Sequence, residues 1–110
     1  MRKEYLAITT STGLNFIHRN EIMYCLSDGS YTNIYLEGGR KLTISKNLKE
    51  VEHTLTDSQF VRIHNSHLIN LAHAVSYINN GHNCVRMSND EELAVARNRK
   101  KDFLDLFDKL

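Results

Sequence analysis

Turn-forming residues cut this chain into pieces too short for long helices. Runs of apolar and β-branched residues recur along most of its length, each closed quickly by Gly, Ser, Asn or Asp. Tyr5-Leu6-Ala7-Ile8-Thr9-Thr10 and Leu14-Asn15-Phe16-Ile17-His18 flank Ser11-Thr12-Gly13, the pattern of a hairpin. Ile22-Met23-Tyr24-Cys25-Leu26 suits a buried strand, and Ser27-Asp28-Gly29-Ser30 closes it as a turn. Tyr31–Leu36 resumes with β-formers. Glu37-Gly38-Gly39-Arg40 is a second hairpin turn, and Lys41-Leu42-Thr43-Ile44 alternates polar and apolar residues as a half-buried strand does. Further strands are predicted over 61–63, 74–78, 83–87 and 93–96, with Ser88-Asn89-Asp90-Glu91 turning between the last two.

The period changes in two places. Leu48, Val51 and Leu55 recur at helical spacing, with Ser45 as candidate N-cap. At the end of the chain Phe103, Leu104, Phe107 and Leu110 fall on one face of a helix. The expected architecture is mainly β: several small antiparallel sheets with two or three short helices.

With 110 residues the chain is about one domain, 1–110, with its core over roughly 5–108. No internal repeat or linker interrupts it, and the absence of Pro argues against a disordered segment. No apolar run approaches the length of a membrane span, and Met1-Arg2-Lys3-Glu4-Tyr5 lacks an apolar signal core, so a cytoplasmic location is expected. Cys25 and Cys84 lie far apart in apolar surroundings and read as buried free thiols.

A net charge of +1 advertises no polyanion partner, but its distribution does. Arg97, Arg99, Lys100 and Lys101 crowd together where a strand gives way to the final helix, and Asp102, Asp105 and Asp108 follow. Cations at a helix start and anions at its end each oppose the macrodipole, by about 0.3 to 1 kcal/mol per group. Stability alone does not select that order; a phosphate at the helix start does. The competing reading is a solvated charged turn.

Phe60-Val61-Arg62-Ile63-His64-Asn65-Ser66-His67-Leu68-Ile69-Asn70 is the second informative stretch. It sets polar side chains in a short break between two apolar segments. Asn65 suits adenine, accepting from N6 and donating to N7, and Ser66 can hold a phosphate oxygen. Equally, Asn65 can form an Asx turn and Ser66 can cap the next helical turn.

The pattern F-x-R-I-H-N-S-x-L-I-N, followed about twenty-five residues later by a strand and a basic turn, resembles the LytTR DNA-binding domain of bacterial response regulators. The resemblance covers nearly the whole chain. It implies an elongated β fold that inserts loops, rather than a recognition helix, into successive major grooves of double-stranded DNA. On this resemblance Asn65 reads a base, and His64 packs or hydrogen-bonds beneath the reading loop. Arg97, following the small residue Ala96 at the end of the last strand, contacts a second base. Ser30 and Tyr31, in the loop after the strand at 22–26, supply a third contact, although Tyr31 is as well suited to the core. Ser66, Asn98, Arg99, Lys100, Lys46 and Asn47 form the phosphate set. His67 stands where the family often carries an aromatic residue and receives no role. The resemblance also implies an upstream receiver domain in the full-length protein, binding to direct repeats, and dimerisation on DNA.

Other chemistries have little support. His64 and His67 lie three apart, but no further His or Cys has zinc-like spacing, so no metal and no cofactor is expected. Gly38-Gly39 is too short for a phosphate loop. A Cys-His nucleophile pair is disfavoured because both thiols read as buried, and no enzyme activity is expected. The runner-up function is a protein-interaction module whose basic turn binds an acidic partner, with an RNA-binding module third.

Overall fold

The structure is a computed structural model describing residues 3–55, 57 and 59–110. Ten strands and two helices alternate with short 3-10 turns. A first hairpin joins β1 (Tyr5–Thr10) to β2 (Gly13–His18). Then come β3 (Ile22–Asp28), β4 (Tyr31–Leu36), β5 (Arg40–Ile44) and helix α1 (Leu48–Thr54). A tight hairpin of β6 (Phe60–His64) and β7 (His67–Asn70) follows. The chain closes with β8 (Ala74–Asn79), β9 (Asn83–Met87), β10 (Glu92–Ala94) and helix α2 (Lys100–Leu104).

All strand pairs are antiparallel, in sheets ordered β1-β2, β5-β4-β3-β7-β6 and β10-β9-β8. The five-stranded sheet is the frame, and each of its faces carries its own core. On one face Cys25, Ile34, Leu36, Phe60 and Leu68 pack against Ile8 and Ile17 of the first hairpin and against Leu48, Val51 and Leu55 around α1. On the other, Met23, Tyr24, Ile63 and Ile69 pack against Val85, Met87 and Leu93, then Val95 and Phe103. Ile22, Leu36, Ile63, Leu68 and Ile69 are almost fully buried. Each such side chain contributes about 1.5 to 3 kcal/mol relative to exposure.

A bulge explains how one strand serves both cores. Ile22 pairs with Leu36 and Tyr24 with Tyr35, so β3 holds one extra residue there. The extra residue turns Met23 and Tyr24 to the same core and returns Ile22 and Cys25 to the other. Two buried polar residues brace the frame. Asn70 donates to the Ile22 carbonyl at 2.8 Å and accepts from the Ala72 amide at 2.9 Å. Thr32 donates to the Lys46 carbonyl at 2.8 Å, tying the β5–α1 connection to β4. The molecule is elongated, 46 × 30 × 25 Å. No helix among the described residues is long and apolar enough to cross a membrane.

Four sequence expectations change. The N-cap of α1 is Asn47, not Ser45: its side chain accepts from the Glu50 amide, and Glu50 accepts from the Asn47 amide in return. The final helix stops at Leu104, where Asp105 caps it, so Phe107 and Leu110 lie outside it and are exposed. The last strand ends at Ala94 rather than at 96. His67–Asn70, not read as a strand, is β7, hydrogen-bonded between β3 and β6 in the frame.

Candidate nucleic-acid interface

Asn65 and Ser66 are the two-residue turn between β6 and β7. Every peptide of this turn is held. The Arg62 guanidinium donates to the His64 carbonyl through Nε at 2.9 Å and to the Asn65 carbonyl through Nη2 at 2.6 Å. The Ser66 amide donates to His64 Nδ1 at 3.0 Å, and the Ser66 carbonyl accepts from the Ser27 amide at 3.0 Å. The Asn65 side chain, by contrast, is exposed and makes no hydrogen bond among the described residues. A fixed backbone with a free amide at its tip is what bidentate base recognition needs. His64 hydrogen-bonds beneath the turn through a bare Nδ1, which fixes its tautomer.

His67 had no role on sequence, and the structure gives it one. Its ring stacks on His64 with centroids 4.4 Å apart. Its Nδ1 donates to the Ala94 carbonyl at 2.9 Å, linking the turn to the end of β10. Burial lowers its pKa, an effect that the Ala94 bond opposes and the neighbouring His64 reinforces.

The basic segment lies against the same hairpin. The Ala96 amide donates to the Ile63 carbonyl at 2.8 Å, and the Val95 amide to the Asn83 carbonyl at 2.8 Å. Arg97 therefore opens a 3-10 turn, Arg97–Arg99, and does not end a strand. Arg97 and Asn98 are exposed; Arg99 and Lys100 are half-buried. None of Arg97, Arg99 and Lys100 forms an ion pair among the described residues. Lys101 differs: it donates to Asp105 at 2.7 Å, one turn on. That bond holds the Asp105 carboxyl below its usual range and raises Lys101. With α2 only five residues long, the macrodipole contributes little, and the three unpaired cations carry the positive charge.

The β3–β4 hairpin completes the surface. Asp28 pairs with Tyr31 across Gly29-Ser30. Gly29 sits at φ +59 with open space around it, so the demand for glycine is torsional, not steric. Tyr31 is 51% exposed, so it is not a core residue, and Ser30 beside it is exposed too. The bond between Ser27 and Ser66 joins this hairpin to the β6–β7 turn. Ser30, Tyr31, Asn65, Ser66 and Arg97–Arg99 thus sit on three neighbouring connections.

Lys46 and Asn47 are exposed at the start of α1, just beyond the end of β5, where Ile44 pairs with Thr32 of β4. The Asn47 carbonyl oxygen is committed to the cap, and Lys46 reaches Glu50 at 4.0 Å. Thr32, next to Tyr31, donates to the Lys46 carbonyl at 2.8 Å and so ties this segment to the base of the β3–β4 hairpin.

No cluster of three His, Cys, Asp or Glu suited to a metal occurs among the described residues. Burial pushes the Cys25 thiol up to about 12, far from a usable thiolate. Cys84 is half-buried rather than buried, and both cysteines are free.

Comparison with known proteins identifies the family and the fold. The LytTr DNA-binding domain family model matches residues 13–108. Among solved structures, one similar chain is the LytTr DNA-binding domain of a Bacillus cereus protein described as a methyl-accepting/DNA response regulator. The two align with a TM-score of 0.79 at 23% identity, over 94% of this chain and 96% of that one, which establishes a shared fold. No curated protein matches. With the family model spanning both cores and all three connections, the chain belongs to the LytTr family of DNA-binding domains.

Proposed function

We propose that this domain reads double-stranded DNA by inserting loops into successive major grooves, as the output domain of a bacterial two-component response regulator. The observation that carries the reading is the β6–β7 turn: its His64, Asn65 and Ser66 carbonyls and its Ser66 amide are all bonded, and its exposed Asn65 side-chain amide is left unbonded beside the unpaired Arg97 segment. Asn65 pairs with adenine N6 and N7, and Arg97 with guanine O6 and N7 in the neighbouring groove. Ser30 and Tyr31 touch bases from the β3–β4 hairpin. Ser66, Asn98, Arg99 and Lys100 hold phosphates around these points, and Lys46 and Asn47 hold one beside the base of the β3–β4 hairpin. Two copies occupy direct repeats, with a receiver domain upstream in the full-length protein supplying control from the cytoplasm.

Selection from randomised duplex DNA at two salt concentrations tests the reading. The expected result is a motif in repeated half-sites, with one base preference lost in Asn65→Ala and another in Arg97→Ala. Binding that is salt-sensitive but without a motif reduces the protein to a polyanion binder. No binding, with a dimerising partner domain supplied, leaves an acidic protein as the partner of the basic turn.

A further inference from the structure

Arg62 belongs to the sequence motif but has no part in the contacts proposed above. Its geometry is unusual for a strand cation. The guanidinium is mostly buried, its side chain only 14% exposed, and three of its nitrogens are used. Nε and Nη2 take the carbonyls of His64 and Asn65, and Nη1 takes Glu52 Oε1 of α1 at 2.7 Å. A planar fork spends its donors on two successive carbonyls of one turn, while a carboxylate from another element holds the fork still. The rigid five-donor geometry of arginine makes this possible; an ammonium cannot span the same three acceptors in one plane.

We infer that Arg62 is the positioning residue for base reading: it sets the plane of the Asn65 peptide, and Glu52 sets Arg62. Asn65 leaves the turn from a carbon whose two flanking carbonyls are both bound to one guanidinium. Bidentate pairing with a base tolerates only small errors in direction, so discrimination follows the orientation of that carbon. Three of the five guanidinium N–H donors of Arg62 are thereby spent inside the protein. The inference rests on Asn65 as a base reader.

The experiment compares wild type, Arg62→Lys, Glu52→Gln, Asn65→Ala and the double variant Arg62→Lys/Asn65→Ala. Affinity is measured for the selected duplex, for duplexes altered at the base pair assigned to Asn65, and for unrelated DNA across a salt series. Melting temperature is recorded alongside. Arg62→Lys is expected to lower discrimination at that base pair by about tenfold, within what one bidentate contact supplies. Glu52→Gln, which keeps an acceptor but removes the charge, is expected to lower it less. Affinity for unrelated DNA and the salt slope stay at wild-type values, and Arg62→Lys adds nothing once Asn65 is Ala.

Several results overturn the inference. A uniform loss on all sequences with a flattened salt slope makes Arg62 a phosphate contact. A lowered melting temperature with base preference intact makes it a structural brace only. If Asn65→Ala loses the preference while Arg62→Lys keeps it, positioning fails alone. If Asn65→Ala also keeps it, the reading of Asn65 fails as well. Glu52→Gln, altering a residue on α1 with a 42% exposed side chain, keeps the test open if Arg62→Lys does not fold.

Discussion

The β6–β7 turn and the segment 95–101 lie side by side and are built in opposite ways. In the turn, the main chain is bonded to Arg62, His64 and Ser27, and one small amide points out. In the basic segment, Val95 and Ala96 fix only the entry. Beyond it Arg97, Arg99 and Lys100 carry long side chains that form no ion pair among the described residues. The difference follows from what each is asked to meet. A base edge has direction, so its reader must have direction too. A phosphate backbone is a line of charge that accepts contacts from many angles. On the proposed reading, rigidity is concentrated beneath Asn65, whose short amide is aimed by its backbone, and conformational freedom is left at Arg99 and Lys100, where only charge is required; Arg97, a long side chain, takes its direction from the base it pairs with.

Substitutions can break that contrast. The largest effects are expected at the tips that read bases: Asn65→Ala and Arg97→Ala each cost about 1 to 3 kcal/mol on the selected duplex, measured by titration, with preference relaxed at one base pair. Equal losses on every sequence from Asn65→Ala would put the turn in the same class as Arg99 and Lys100. Next comes Gly29→Ala, which forces a side chain into the left-handed region at a cost of about 1 kcal/mol in denaturant unfolding. Its effect on DNA sharpens the comparison further: a change in base preference makes the β3–β4 hairpin a third rigid reader. Lys100→Ala is smaller. It weakens all sequences alike and reduces the slope of log K against log salt by about 0.9, one phosphate's worth.

The smallest effect concerns His67. Its folded pKa is depressed by burial, so the folded state binds fewer protons than the unfolded chain. The linked stability is fully present above the ordinary histidine value, about 6.5, and is lost as pH falls from there through the folded value. Unfolding followed across this range should show wild type weakening on acidification and His67→Phe weakening less. An unchanged pH slope in His67→Phe removes His67 as the titrating bridge between turn and β10.

Where the sequence was legible, one local rule dominated. Turn residues mark the β1–β2, β3–β4 and β4–β5 hairpins and the connection between β9 and β10, and alternation marks β5. β7 escaped because only Asn65-Ser66 separates it from β6, and its polar His67 reads as part of the break. Ser45 and Asn47 are both good caps by residue type, and only the returning Glu50 side chain decides for Asn47. The final helix was drawn too long because Phe107 keeps helical spacing after the backbone has stopped. The Lys109 ammonium closes that end on the Leu104 carbonyl. Of the site, the exposed tips were visible as residue types. Their support was not: Arg62 reads as an ordinary outward strand residue, and its bond to Glu52 depends on where α1 packs.

The burial of Cys25 gives the molecule an internal clock. This thiol lies in the middle strand of the frame, fully enclosed, while Cys84 on β9 is partly open. A thiol reagent will mark Cys84 at a rate set by the resting surface. Cys25 can react only during the moments when the frame comes apart, so its labelling counts those openings. A ligand that binds the folded state alone makes openings rarer in proportion to its saturation. Adding a duplex that the domain recognises should therefore slow the Cys25 reaction while leaving Cys84 nearly unchanged. Occupancy on DNA becomes readable by mass spectrometry from a sulfur that never touches it.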